Sequence, residues 1–199
     1  MNSVPEHLLI SAHEMRRRSP LHHWARADNA RFCAYILWTK GSSADVMSVA
    51  DDVGYGGTTG IALSEGFRRE APLALELIIK AVIAQRIENR SAAKHVVRVR
   101  TTHDLPSLWL DAQLPKLQPE DQHRLHIAKS LLIWSGRYAA PLKDEDYDKE
   151  QDDQAELKDS SGKIGQMRLV RPRSFSWSDF DRIYQIAHVE FWRIRSPFR

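Results

Sequence analysis

In the stretch VRVRTTHDL, residues 97–105, Arg98, Arg100 and His103 stand close together in the chain. A histidine titrating near neutrality can move a proton to or from a ribose hydroxyl or a leaving oxygen, while a guanidinium stabilises charge on the phosphate between them. These residue types therefore suit phosphodiester chemistry. Spacing alone does not select the pair. Arg90 with His95, Arg182 with His188, and Arg16, Arg17 and Arg18 with His22 and His23 have similar separations. On a regular helix Arg182 and His188 diverge by roughly 120° and are about 9 Å apart along the axis, so only a second subunit could unite such residues. Arg90 and His95 fall in a polar connection. His103 differs from these because it precedes the helix signal DLPSLWLDAQL, where free amide hydrogens and the helix dipole favour an anion. The same histidine could instead tether that helix to a neighbour, and both roles stay open.

A second pattern lies in EAPLALELIIKAVIAQR, residues 70–86, where Glu76 and Lys80 stand one helical turn apart in an otherwise apolar run. A helix apolar on every side is buried on every side. Its two charges must therefore neutralise each other or meet partners from neighbouring helices. The lysine stem can run along the core with its head towards water.

Other chemistries find little footing. VADDVGYGGTTG is glycine-rich but lacks the Lys-Ser or Lys-Thr ending of a phosphate loop. His123 and His126 lie one turn apart with no further ligands at metal spacing, so neither metal nor cofactor is expected. No Gly-x-Ser-x-Gly elbow occurs, and Cys33 lies in a bulky apolar segment. The six tryptophans could stack bases, but most fall on apolar helix faces and read as core.

These residues must be positioned by helices. Apolar positions recur at helical period after Pro20, ending at Gly41, and again over Ile61 to Ile87, with a bend expected at Pro72. The same period returns over EDQHRLHIAKSLLIWSG and over SWSDFDRIYQIAHVEFWRIR, where Ser178 is the expected cap and Phe180, Ile183, Tyr184, Ala187 and Phe191 form the stripe. HVVRVRTT alternates like a strand but has no partner, so it reads as an extended connection. The expectation is an all-α, up-and-down bundle of about five helices, without a sheet. It divides into a basic arm (1–19), a bundle (20–142), an acidic disordered insertion (143–163) and a C-terminal segment (164–199) whose helix closes the core or a dimer.

The chain has 199 residues, a net charge of +3, and twenty arginines against nine lysines. Arginine pairs bidentately with phosphate, so this balance is compatible with nucleic-acid contact. No apolar run reaches the length of a membrane span and no secretory signal opens the chain; a single cysteine agrees with a reducing cytoplasm.

Taken in order, Glu76, Lys80 and Ala81, then His103, Asp104 and Leu105, then Arg137 and Tyr138 resemble the Glu-x-x-x-Lys-Ala, His-Asp-Leu and Arg-Tyr-Pro signatures of HEPN domains, the nucleotide-binding helical family of higher eukaryotes and prokaryotes. The resemblance covers about residues 60–142 and departs from the pattern in RYAAP, where proline does not follow Tyr138 directly. It implies a helical bundle that binds RNA or nucleotide. In active members it implies metal-independent RNA cleavage by an arginine and a histidine, at a site built across a homodimer, often in defence or toxin systems. Carried onto this chain, His103 and Arg98 become the candidate catalytic pair, and Arg100, Arg137 and Lys80 candidate phosphate-binding residues. The alternative is a non-catalytic dimerisation or scaffold module that keeps the bundle.

Overall fold

The computed structural model describes residues 11–40, 43–135, 159–164, 167–171 and 175–196. Arg137, Tyr138 and residues 143–158 of the acidic run lie outside them. Seven α-helices order the described chain: α1 (Ala12–Arg18), α2 (Pro20–Thr39), α3 (Ala44–Asp52), α4 (Thr59–Glu88), α5 (Leu105–Asp111), α6 (Pro119–Ser130) and α7 (Trp177–Arg195). The all-α expectation holds for the packed body. A two-stranded antiparallel ribbon, β1 (Asp159–Ile164) with β2 (Met167–Arg171), corrects the expectation that no strands form. The last residues of the acidic run, 159–163, belong to β1, because residues 167–171 supply a pairing partner that composition alone does not reveal.

α4 is the central rod. Ala71, Ala74, Leu75, Ile78, Ile79, Ala81 and Val82 on it are wholly buried, so several of its faces are covered, and it runs unbroken through Pro72. α2 packs antiparallel along it. Leu37 lies against Gly66, where an added Cβ would meet a Leu37 methyl at 3.1 Å, and the rings of Trp38 and Phe67 are 4.9 Å apart. Both helices turn alanines to the seam, Ala27, Ala30 and Ala34 from α2, which lets the two backbones approach closely.

α7 runs parallel to α4. Phe67 meets Phe180 near one end at 6.4 Å, and near the other Arg86 pairs with buried Glu190 at 2.5 Å, while Asn89 donates to the Ile194 carbonyl at 2.7 Å. All five residues of the expected α7 stripe are fully buried. Its cap is Ser176 rather than Ser178. Ser176 and Asp179 form a reciprocal capping box, which starts the helix two residues earlier.

Three further local differences have physical causes. The glycine-rich turn is preceded by a helix, α3, entered at Ser43 with Asp45 in its first turn; only Ala50 of it is buried, so its apolar signal is faint. The expected arm contains a short helix, α1, whose first turn is closed by Ser11 accepting from the Glu14 amide at 3.1 Å. After α6 the chain widens into a π-turn, Leu131–Ser135. Consecutive Leu131 and Leu132 cannot both face inward at period 3.6. In the wider turn Leu131 is buried and Leu132 packs partly against the core.

Candidate functional site

The connection between α4 and α5 carries the candidate residues, and buried apolar anchors hold it. It leaves α4 at Asn89, turns at Arg90, buries Val96 and half-buries Val99, and enters α5 through wholly buried Leu105. Thr102 Oγ accepts the Asp104 amide at 3.1 Å, and the Asp104 carboxylate pairs with Lys129 of α6 at 3.2 Å. Residues 102–105 are thereby fixed between α4 and α6.

That fixing joins the two patterns that the sequence keeps apart. Glu76 Oε2 lies 2.7 Å from His103 Nδ1, and Glu76 Oε1 accepts from Lys80 Nζ at 2.6 Å. The carboxylate is 7% exposed, the Lys80 side chain 11% and His103 39%. A buried glutamate thus serves a buried lysine with one oxygen and a half-exposed histidine with the other. Because a carboxylate only accepts, Nδ1 of His103 carries the proton and Nε2 is left as the unprotonated ring nitrogen. This carboxylate–imidazole arrangement is what orients a general acid or base.

His23 of α2 also feels the charge of Lys80, and its Nε2 donates to the Arg17 carbonyl at 2.9 Å. Burial holds its pKa below the ordinary value of 6.5; the Arg17 carbonyl opposes this, and the nearby Lys80, His22 and Arg26 charges reinforce it. Lys80 therefore sits inside the fold as a counter-charge rather than in solvent.

Beside this cluster a cleft of about 820 Å³ opens between α1, the C-terminal part of α4 and the connection. Arg17 and Arg18 line one wall; Arg98, Arg100, Thr101 and Thr102 line another. His103 follows the last of these directly in the chain. The four guanidiniums are not equally free. Arg17 and Arg18 bond to Glu14 at 2.9 and 2.6 Å, and these hydrogen bonds, Arg18's first, pull the Glu14 carboxyl below its usual range. Arg100 pairs with Asp111 at 2.7 Å and donates to Ser107. Asp111 also faces the exposed His95 at 3.5 Å. Among the described residues Arg98 is exposed and has no ion-pair partner, which leaves it the available cation of the cleft.

The structure therefore brings Arg98, Arg100 and the neighbour of His103 into one cleft wall, while Lys80 backs His103 through Glu76. Arg137 lies outside the described residues. Arg182 and His188 are spent elsewhere. Arg182 bonds to Asp121 at 2.6 Å, and His188 stacks on Tyr184 and accepts from the Trp192 indole at 3.0 Å. Glu76 is the residue that sequence reasoning missed as a partner of His103. Its only signal was the unexplained charge in an apolar helix.

Among the described residues no group of three or more His, Cys, Asp or Glu side chains converges to hold a metal ion, and no helix is long and apolar enough to cross a membrane. Comparison with protein-family models, with curated proteins and with solved structures returned no match.

Proposed function

We propose that this protein binds RNA or a nucleotide in the arginine-lined cleft and acts as a metal-independent endoribonuclease of the HEPN-like kind. The observation that carries the reading is His103 Nδ1 held at 2.7 Å by buried Glu76, with Nε2 left over, next to a cleft containing an uncommitted arginine. In the proposed reaction His103 Nε2 takes the proton of a 2′-hydroxyl, and the freed oxygen attacks the adjacent phosphorus. The O5′ bond breaks with release of a cyclic phosphate, and O5′ collects a proton from solvent. Arg98 stabilises the charge on the non-bridging phosphate oxygens. Glu76 does not touch substrate; it holds the imidazole in one tautomer and orientation.

The test incubates the full chain with total RNA in excess chelator, beside His103→Ala and Arg98→Ala. Cleavage by the parent chain and its loss in His103→Ala support the reading. Cleavage that survives in His103→Ala removes His103 from it, and absence of both cleavage and binding at low salt removes the whole reading.

One observation favours a second reading, a dimerising scaffold. Phe32, Tyr35 and Trp38 of α2 are 65%, 46% and 46% exposed, a stripe of rings of the kind that interfaces cover. A homodimer in sedimentation equilibrium that becomes monomeric in Phe32→Glu, together with no RNA binding, would favour this reading over the first.

A further inference from the structure

Away from the arginine cleft, α2 and the first turns of α7 flank an open surface cavity of about 440 Å³, lined by Asp28, Arg31, Phe32, Tyr35, Trp177 and Asp181. Its chemistry is opposite to that of the first. Arg31 Nε donates to Asp181 at 2.8 Å, so that pair is neutral, and the guanidinium lies over Trp177 at 5.6 Å and Tyr184 at 5.3 Å. Asp28 has no ion-pair partner among the described residues and leaves the cavity with one uncompensated negative charge. Around it stand three rings: Tyr35 and Trp177 with centroids 4.8 Å apart, and the exposed Phe32.

Aromatic faces beside a free carboxylate attract organic cations through the ring quadrupole and through direct ion pairing. Arg31 is already an example at the cavity edge, a guanidinium near the Trp177 and Tyr184 rings and paired with a carboxylate. The negative charge also disfavours phosphate, which separates this cavity from any nucleotide site.

We propose that the cavity is a binding site for an organic cation of the alkylammonium or guanidinium type, with the charged head on Asp28 and against the Phe32, Tyr35 and Trp177 rings. Such a site is independent of the RNA reading and of the state of His103. The ligand can be a free small amine or the arginine side chain of a peptide, since both present an organic cation at the end of a short stem.

The test is isothermal titration calorimetry of the full chain with choline, with agmatine and with acetyl-Gly-Arg-Gly-amide, beside 3,3-dimethylbutan-1-ol, the neutral isostere of choline. Ring contacts at the rim and one exposed ion pair predict dissociation constants of about 1–10 mM for at least one cation, and about tenfold weaker binding of the neutral isostere. Asp28→Asn and Tyr35→Leu, both at exposed positions, should each weaken cation binding by about fivefold to tenfold without changing the far-ultraviolet circular dichroism. Choline binding alone assigns the site to small ammonium ligands; agmatine and peptide binding assigns it to guanidinium groups. Equal binding of the neutral isostere, affinity unchanged in Asp28→Asn, or no cation binding at millimolar concentrations overturns the proposal.

Discussion

Replacing Glu76 by glutamine tests the centre of the fold and the site together. In the native chain the Lys80 ammonium lies 2.6 Å from the Glu76 carboxylate with both side chains about nine-tenths buried. At an effective dielectric of about 20, charges at that distance attract by about 6 kcal/mol, and the cost of taking both out of water offsets most of this. Removing only the carboxylate leaves that desolvation cost on Lys80 with nothing to oppose it. The expected loss is about 3–5 kcal/mol of unfolding free energy, or roughly 10 °C in melting temperature for a chain of this size. Replacing both partners with apolar residues of similar shape, Glu76→Leu with Lys80→Met, removes the buried charges and should return stability to within about 1 kcal/mol of the parent. Urea unfolding followed by circular dichroism measures the parent, Glu76→Gln and the double variant. A Glu76→Gln loss below about 1 kcal/mol, or a double variant no better than the single, refutes the buried-pair reasoning. Nitrogen chemical shifts of the His103 ring supply the second readout: the Nδ1–H tautomer of the parent should give way to a mixture in Glu76→Gln.

Other consequences follow from groups whose protonation changes on folding. Burial lowers the pKa of both His23 and His188, so below about pH 6.5 the unfolded chain takes up protons that the folded chain resists. Stability should therefore fall as pH drops from 7.5 to 5.5, with the loss saturating once the folded histidines are also charged, and His188→Gln should flatten the fall. Asp121 behaves in the opposite sense. Burial raises its pKa, but the bonds from Arg182 and Arg124 outweigh this and hold it low, so its contribution is present above the ordinary carboxylate pKa and disappears as pH falls through the depressed value. Asp121→Asn should cost about 2–4 kcal/mol at pH 7 by urea unfolding and much less near pH 2, because the residue joins α6 to α7 through Arg182 and also holds Arg124 of its own helix. Among the described residues the buried Tyr184 hydroxyl has no hydrogen-bond partner, and burial pushes its pKa up. Tyr184→Phe should be neutral or stabilising by up to about 1 kcal/mol, and should remove the part of the alkaline destabilisation above about pH 10 that Tyr184 causes.

How far these features could be read from the sequence depends on whether their causes are local. The α4 rod and the α7 stripe could be read because a fully buried helix and a one-sided helix leave different periodic signatures. At the α7 cap, both Ser176 and Ser178 have an acid three residues on, but Asp181 is drawn to Arg31 of α2 at 2.8 Å, a long-range contact, while Asp179 closes the box on Ser176. α3 escaped notice because a helix that buries only Ala50 imposes little pattern. At the candidate site, the Glu76–Lys80 pair was legible from its one-turn spacing. The Glu76–His103 bond was not, since it joins residues 27 apart and depends on how the connection is pinned by Val96, Val99 and Leu105. Pairing by Glu14 and Asp111 similarly decides which cleft arginines remain available, and nothing in the spacing of Arg17, Arg18, Arg98 and Arg100 distinguishes them.

The measurement that bears most directly on the central claim, that the arginine-lined cleft beside His103 holds phosphates, is the salt dependence of RNA binding. A labelled single-stranded RNA is titrated by fluorescence anisotropy against the parent chain and Arg98→Ala at several salt concentrations. Each phosphate contact contributes about −0.7 to the slope of log affinity against log salt, so the account predicts a negative slope in the parent that becomes shallower by about 0.7 in Arg98→Ala. An identical slope in the two proteins, or no binding by the parent at low salt, would contradict it.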